Sequence, residues 1–443
     1  MKMKRPPYLS PPGKLPPFGK ILRVLKKYNL LPAIFFLKSR ADCDGALELS
    51  RENFLRDENR REAIKERIAE LAAQSPHILQ HKQLGHLENL AIGAHHSGQL
   101  PSWKILLETL MTEGYLDAVF ATSTVAAGVN FPARTIVLLN SDRFNGREFL
   151  PLTSTEFHQM TGRAGRRGKD HIGFMVVVPG KFMDIPLIAQ LTTSPPSPIF
   201  SQIKTTFSMV LNLLLSHSPE EIEDLLEKSF ASYLILEQNR KKPKDRPFEL
   251  DKDFLREDFR NHLNFLVETG YVTENGELTE DGEWASHLRI DQPLLIAEGF
   301  KLGLFPDRDP PLLAAMITLF VNEREFDDRF NKSELPENFV STFFKVKSGL
   351  TPFAEFMYDR GFPVRPLFIR PALTIYEWAR GKPWEQVLET SEMAEGDLAM
   401  LILRTADNLR HIRAIGDVFP SAARNAATAI EQLMREPVIT YYG

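Results

Sequence analysis

Gln159-Met160-Thr161-Gly162-Arg163-Ala164-Gly165-Arg166-Arg167-Gly168 sets three arginines in a glycine-punctuated turn that follows a predicted helix. Glycine lets a backbone approach a bulky anion. Arginine forks onto phosphate oxygens, and a desolvated arginine neutralises charge that develops during phosphoryl transfer. A solvated basic turn would have the same composition, so the flanking sequence decides. Five short apolar runs surround the turn: Ala33 to Leu37, Leu90 to Ala94, Asp117 to Ala121, Thr135 to Leu139 and Gly173 to Val178. Each is short, and the first is bounded by Pro32 and by Lys38-Ser39-Arg40, which predicts buried strands. Helical patterning precedes and separates them, from Gly19 to Leu25, from Ala41 to about Ala73 and from Lys104 to Glu113. Apolar strands alternating with helices predict a doubly wound α/β domain with a mostly parallel sheet.

The chain has 443 residues, too many for one ordinary core. Its 54 basic and 58 acidic side chains give a net charge of −4, so any nucleic-acid contact must come from locally concentrated cations. A single cysteine, Cys43, excludes an internal disulfide and points to a reducing, cytoplasmic setting. No apolar run is long enough to span a bilayer, so no membrane role is expected. The start is proline-rich and lacks the apolar segment of a signal peptide.

The texture changes after Pro179-Gly180. Pro195, Pro196 and Pro198 mark a connector, and two amphipathic helices are expected over 200–216 and 220–232. A short basic stretch, 239–246, reads as a solvated linker. A helix over 254–269 then leads to Tyr271-Val272-Thr273, Asn275-Gly276 and Glu277-Leu278-Thr279, a hairpin signal. Helices followed by a small hairpin suggest a winged-helix module. From Asp309 onward the pattern is helical, with interruptions at Pro363, Pro366, Pro371 and Pro383. Trp284, Trp378 and Trp384 are read as core residues. His77, His81, His86, His95 and His96 lack a recognised zinc spacing, so no metal site is assigned.

Four segments of the α/β part carry chemistry: Phe36 to Arg40, Ala94 to Gly98, Ala121 to Ala133 and the arginine turn. Their order and spacing resemble motifs IV to VI of superfamily 2 DExH-box helicases. The resemblance is to the Ski-type branch, which includes exosome-associated RNA helicases and related bacterial enzymes. Thr155 to Gly168 and Gly128-Val129-Asn130-Phe131-Pro132-Ala133-Arg134 are its most specific segments. Phe207 to Leu214, Leu226 to Phe230, and Glu395-Gly396-Asp397-Leu398 with Arg404, Asn408 and Arg410 extend it toward the C-terminus.

The resemblance implies α/β plus α architecture in four parts: a proline-rich leader (1–28), a second RecA-like helicase domain (29–185), a connector with a winged helix (186–305) and a C-terminal helical bundle (306–443). It implies ATP and Mg²⁺ as cofactors, and single-stranded or partly duplex RNA or DNA as partner. Arg166 matches the arginine finger, with Arg163 and Gln159 beside it. Gly128, Asn130, Gly162 and Gly165 match the nucleotide cleft. Ser39, Arg40, Thr122 and His96 match positions near the nucleic-acid backbone. Arg404, Asn408 and His411, at i, i+4 and i+7, share one helical face, and in the family a comparable helix faces the emerging single strand. A solvated polar stripe would show the same spacing.

A helicase motor also needs a phosphate loop, G-x-x-x-x-G-K-[ST], and an acidic strand end for Mg²⁺. Gly13 to Lys20 has the wrong spacing and is followed by Ile21; Asp57-Glu58-Asn59-Arg60 has no apolar strand before it. The expectation is a chain that starts between the two motor halves and needs a separate first RecA-like half for activity. The large arch insertion of exosome-associated relatives, near 236–250, is replaced by a short linker. The rival expectation is a non-catalytic nucleic-acid-binding or adaptor protein derived from a helicase.

Overall fold

The structure is a computed structural model that describes residues 18–50, 55, 57–123, 125, 133–144, 148–180, 182–240, 253–323 and 335–439. Gly128 and Asn130, most of the expected leader and most of the basic linker lie outside these residues. The chain divides into two compact units. One comprises Met1–Pro198 with Ala394–Asp397 and Glu436–Gly443; the other comprises Ile199–Met393 with Leu398–Arg435.

The first unit is built on a five-stranded sheet. Its strands are β1 (Ala33–Phe36), β2 (Ile92–His95), β3 (Ala118–Ala121), β4 (Thr135–Leu138) and, after a small antiparallel pair β5 (Asp142–Phe144) and β6 (Phe149–Pro151), β7 (Phe174–Val177). The order is β2-β3-β1-β4-β7, and every pairing is parallel. The five apolar runs of the sequence are these five strands. Successive side chains of a strand point to opposite faces. Ile34, Phe36, Val119, Ala121, Ile136 and Leu138 therefore enter one core, with residues of helices Glu58–Ala72, Pro101–Glu113, Ser154–Thr161 and Ile185–Thr193. Phe35, Leu37, Phe120 and Val137 enter the other, with helices Phe18–Lys27 and Arg40–Glu48. Helices cover both faces, as a parallel sheet requires.

Two sequence features that imitate a nucleotide site have structural roles. Gly19 and Lys20 lie inside the Phe18–Lys27 helix rather than in a loop, and the Gly19 N–H reaches the Leu49 carbonyl. The Asp57 carboxylate caps the Glu58–Ala72 helix by accepting from the Arg60 N–H at 3.1 Å.

The second unit is helical. The expected 200–216 helix is shorter, Phe207–Leu214, because Thr206 caps it and the preceding residues 195–206 form no regular element. The expected 220–232 helix divides into Pro219–Glu227 and Phe230–Arg240, where the Ser229 hydroxyl accepts from the Ser232 N–H. The hairpin is reduced to one antiparallel bridge, Val272 to Leu278, around Gly276 at φ 82°. It ends there because Thr279 caps the Glu280–Ser286 helix. Farther along, Pro310–Val321 is buried on all sides from Leu312 to Val321 and packs against Ile369–Ala379 and Pro420–Leu433. Trp284, Trp378 and Trp384 are buried. Pro363 and Pro366 fall between helices, whereas Pro352 sits inside the long Glu337–Asp359 helix.

Phe120 is fully buried and meets the rings of Phe18 and Phe35 at 5.0 Å each. Phe120→Ala is expected to destabilise the sheet unit by about 3–5 kcal/mol, the range for emptying such a site. Urea unfolding followed by circular dichroism checks this; a loss below about 1 kcal/mol would contradict this packing.

Candidate functional site

The arginine turn is built at the N-terminal end of β4 and β7. The Ser154–Thr161 helix starts with a capping box of Thr153 and Glu156, which satisfies its first N–H groups, and it ends at Gly162. Gln159 projects from it and is exposed. The chain then runs beside Ala133. The Ala133 N–H donates to the Arg163 carbonyl at 3.0 Å, and the Gly165 N–H donates to the Ala133 carbonyl at 2.7 Å. Gly165 has φ 90°, which a side chain would strain. Gly173 lies against the turn: a Cβ there would sit 2.4 Å from the Ala164 carbonyl carbon.

Arg166 is held by Asp170. Its Nε and Nη2 donate to the two carboxylate oxygens at 2.7 and 3.0 Å, and its backbone N–H donates at 3.0 Å. The Asp170 side chain is 1% exposed, and Arg134 Nη1 lies 3.6 Å from it. The hydrogen bond from Arg166 holds the Asp170 carboxyl below the usual carboxylate range and raises the Arg166 guanidinium. The guanidinium thus presents to Asp170 the fork it would present to a phosphate. Arg163 is half-buried and also engaged. Asp170 was not singled out by sequence reading; its signal was a carboxylate four residues after the central arginine.

Ser39, His96 and Thr122 follow the C-terminal ends of β1, β2 and β3, the opposite end of the sheet from the arginine turn. A strand of 4 residues separates the two ends by about 13 Å. The four motif segments thus divide between the two ends of the sheet. The Ser39 hydroxyl caps the Arg40–Glu48 helix by accepting from the Asp42 N–H at 3.1 Å. Arg40 forks onto Asp397 at 2.6 and 3.1 Å. His96 is buried, with Nε2 3.1 Å from Asp44 and Nδ1 accepting from the Gly98 N–H at 3.2 Å. Thr122 is half-buried.

Residues 394–397 complete this end of the unit. The Gly396 N–H donates to the Gly98 carbonyl at 3.1 Å. A Cβ on Gly396 would lie 2.3 Å from the Ser97 carbonyl oxygen, so only glycine fits. Glu395 faces His77 at 3.6 Å and His81 at 3.8 Å. His81 stacks on Trp103, and burial pushes its pKa down to about 4 against the pull of Glu395. His86 and His95 likewise face Glu48 and Glu108. Among the described residues, no group of three or more such side chains is arranged to hold a metal ion.

In the helical unit, Arg404, Asn408 and His411 share one half-buried face, while Ile402, Ala406, Leu409 and Ile412 turn inward. Arg404 Nη2 donates to Asp291 and to Glu323, each at 2.8 Å. The Asn408 amide donates to the Arg404 carbonyl at 2.9 Å.

Residues 275–440 match the DSHCT (NUC185) domain family, and the chain is similar in sequence to Ski-type superfamily 2 DExH-box helicases. It is 39% identical over 237 residues to the probable helicase HelY of Mycobacterium tuberculosis, covering 52% of this chain and 26% of HelY. It is 37% identical over 220 residues to the human exosome RNA helicase MTR4, covering 48% and 21%. It is 34% identical over 243 residues to the chloroplastic DExH-box ATP-dependent RNA helicase DExH15 of Arabidopsis thaliana, covering 50% and 20%. The aligned region thus amounts to about a quarter or less of each relative's length. Among the described residues, no helix is long and apolar enough to cross a membrane.

Asp170→Asn keeps the shape but removes the charge that Arg166 faces. It is expected to lower the stability of the sheet unit by about 1–3 kcal/mol, measured by urea unfolding; an unchanged midpoint would contradict this pairing. A second expectation concerns pH. Folded His81 titrates near 4 rather than 6.5, so the unfolded chain takes up that proton first as pH falls. His81 therefore contributes a stability loss of about 3 kcal/mol between roughly pH 6.5 and 4, and none above that window. Unfolding at pH 7.5 and 4.5 should show His81→Gln losing less than the native chain; equal losses would contradict the assignment.

Proposed function

We propose that this chain is the C-terminal portion of an ATP-dependent RNA or DNA helicase, with a RecA-like domain, a winged helix and a helical bundle, and that it works with a separate first RecA-like half. The observation that carries this reading is the arginine turn. Gly165 and Gly173 hold it against β4 and β7, and Arg166 keeps 19% of its side chain exposed. The similarity to the helicases HelY, MTR4 and DExH15 supports the same reading.

The side chains fit a nucleotide phosphate: the Arg166 and Arg163 guanidinium groups with Gln159 beside them, on a turn that Gly162 and Gly165 shape through their own backbone hydrogen bonds to His158 and Ala133. In the completed motor ATP would supply the transferable phosphoryl group and the first half would hold Mg²⁺. Arg166 would move from Asp170 to the terminal phosphate and neutralise the charge that develops there. Ser39, Arg40, Thr122 and His96 line the other end of the sheet, toward the strand backbone, and Arg404, Asn408 and His411 present a polar helix face to the single strand. Separation of the two ends by a strand length lets one domain serve both ligands.

ATP hydrolysis by the purified chain, with and without single-stranded RNA and DNA and with a first RecA-like half from a HelY-type relative added in trans, tests this. The chain alone is expected to be inactive. The mixture should hydrolyse ATP with strand stimulation, and Arg166→Ala should reduce that rate by about 10³-fold or more. Turnover by the chain alone, or equal rates for Arg166→Ala, would overturn the proposal. Salt-sensitive strand binding with no ATP dependence in any mixture would favour a non-catalytic nucleic-acid-binding protein.

A further inference from the structure

Arg404 does not stand alone. Its Nη2 donates to Asp291 Oδ2 and Glu323 Oε1 at 2.8 Å each. Arg365 stands beside the same two carboxylates, with Nη2 3.4 Å from Asp291 Oδ2 and Nη1 3.9 Å from Glu323 Oε1. These groups come from four separate stretches: the residues before the Pro293–Lys301 helix, the residues after the Pro310–Val321 helix, the 360–368 segment and the Glu395–Arg413 helix. Two cations and two anions cancel. The two carboxylates are exposed, Asp291 by 45% and Glu323 by 58%, and the two arginines partly so, Arg404 by 35% and Arg365 by 36%.

That exposure matters. Exposed ion pairs hold weakly because water and salt compete with them. A phosphate offers a guanidinium an equivalent, charge-assisted acceptor. A strand that approaches Arg404 therefore meets two carboxylates already on its donor, and it binds only by exchange. Arg365 makes the exchange possible without stranding a charge. Its Nη1 is a buried nitrogen that makes no hydrogen bond, and it lies next to the Glu323 oxygen that Arg404 would release.

We propose that Asp291 and Glu323 form an electrostatic gate on Arg404, closed in the free chain and opened by a phosphate of a single strand, with Arg365 taking over the carboxylates. The proposal rests on the strand-contact reading of Arg404 and adds what regulates that contact. The gate lowers resting affinity, which suits a contact that must be made and broken as a strand moves past.

Binding of a fluorescein-labelled single-stranded oligonucleotide to the full chain, followed by anisotropy at low salt, tests it. The variants are Asp291→Asn/Glu323→Gln, Arg404→Ala and the triple combination, each checked by circular dichroism. The double variant is expected to bind about three- to tenfold tighter than the native chain. The triple variant should bind no tighter than Arg404→Ala. If the double variant fails to fold, Glu323→Gln alone, at the most exposed member, should tighten binding in the same direction. No tightening, while Arg404→Ala weakens binding, would overturn the gate and leave the strand-contact reading standing. Equal tightening with and without Arg404 would reduce the effect to general charge and also overturn the gate. Unchanged binding by Arg404→Ala would overturn the strand-contact reading itself, and the gate with it.

Discussion

A guanidinium paired with a carboxylate is the recurring constraint in this molecule. Arg166 faces Asp170, Arg40 faces Asp397, and Arg404 faces Asp291 and Glu323. In each case a cation in a segment resembling a phosphate-binding motif already has an internal acceptor of similar geometry. The physics differs with depth. Asp170 is sealed and also accepts a backbone N–H, so it fixes the shape of the turn as well as the charge. The carboxylates at Arg404 are open to water and hold by a weaker, salt-sensitive contact.

The sheet gives these pairs their places. Parallel register aligns β1 to β4 and β7, so the residues before the strands gather at one end and those after them at the other. Burial on both faces makes a slip of register costly, because one residue of slip would send Phe35 and Phe120 into the wrong core. The ends therefore stay put while their loops carry chemistry. Gly173 and Gly396 act at this level too: each removes a Cβ that would collide with a backbone, one under the arginine turn and one under residues 97–99.

Much of this was legible in the sequence. The five apolar runs became the five strands, because a short buried strand has little alternative to being apolar throughout. The arginine turn was legible through its glycines. The carboxylates that engage the arginines were not. Arg40 and Asp397 are 357 residues apart, and no local pattern announces such a pair. Asp291 and Glu323 sit just outside helices, where acidic residues are ordinary. Helix ends were misjudged where a single hydroxyl decides them: Thr206 and Ser229 each stop or start a helix inside a continuous amphipathic pattern. The hairpin signal at Asn275-Gly276 formed its turn and little more, since Thr279 was committed to the next helix.

The most direct measurement is the position of the Arg166 guanidinium in a crystal or cryo-electron microscopy structure of the chain joined to a first RecA-like half, a single strand and a transition-state mimic of ATP. Arg166 is expected to leave the Asp170 carboxylate and lie within hydrogen-bonding distance of the terminal phosphate mimic. Arg166 still forked onto Asp170, with the phosphate mimic contacted by other groups, would contradict it.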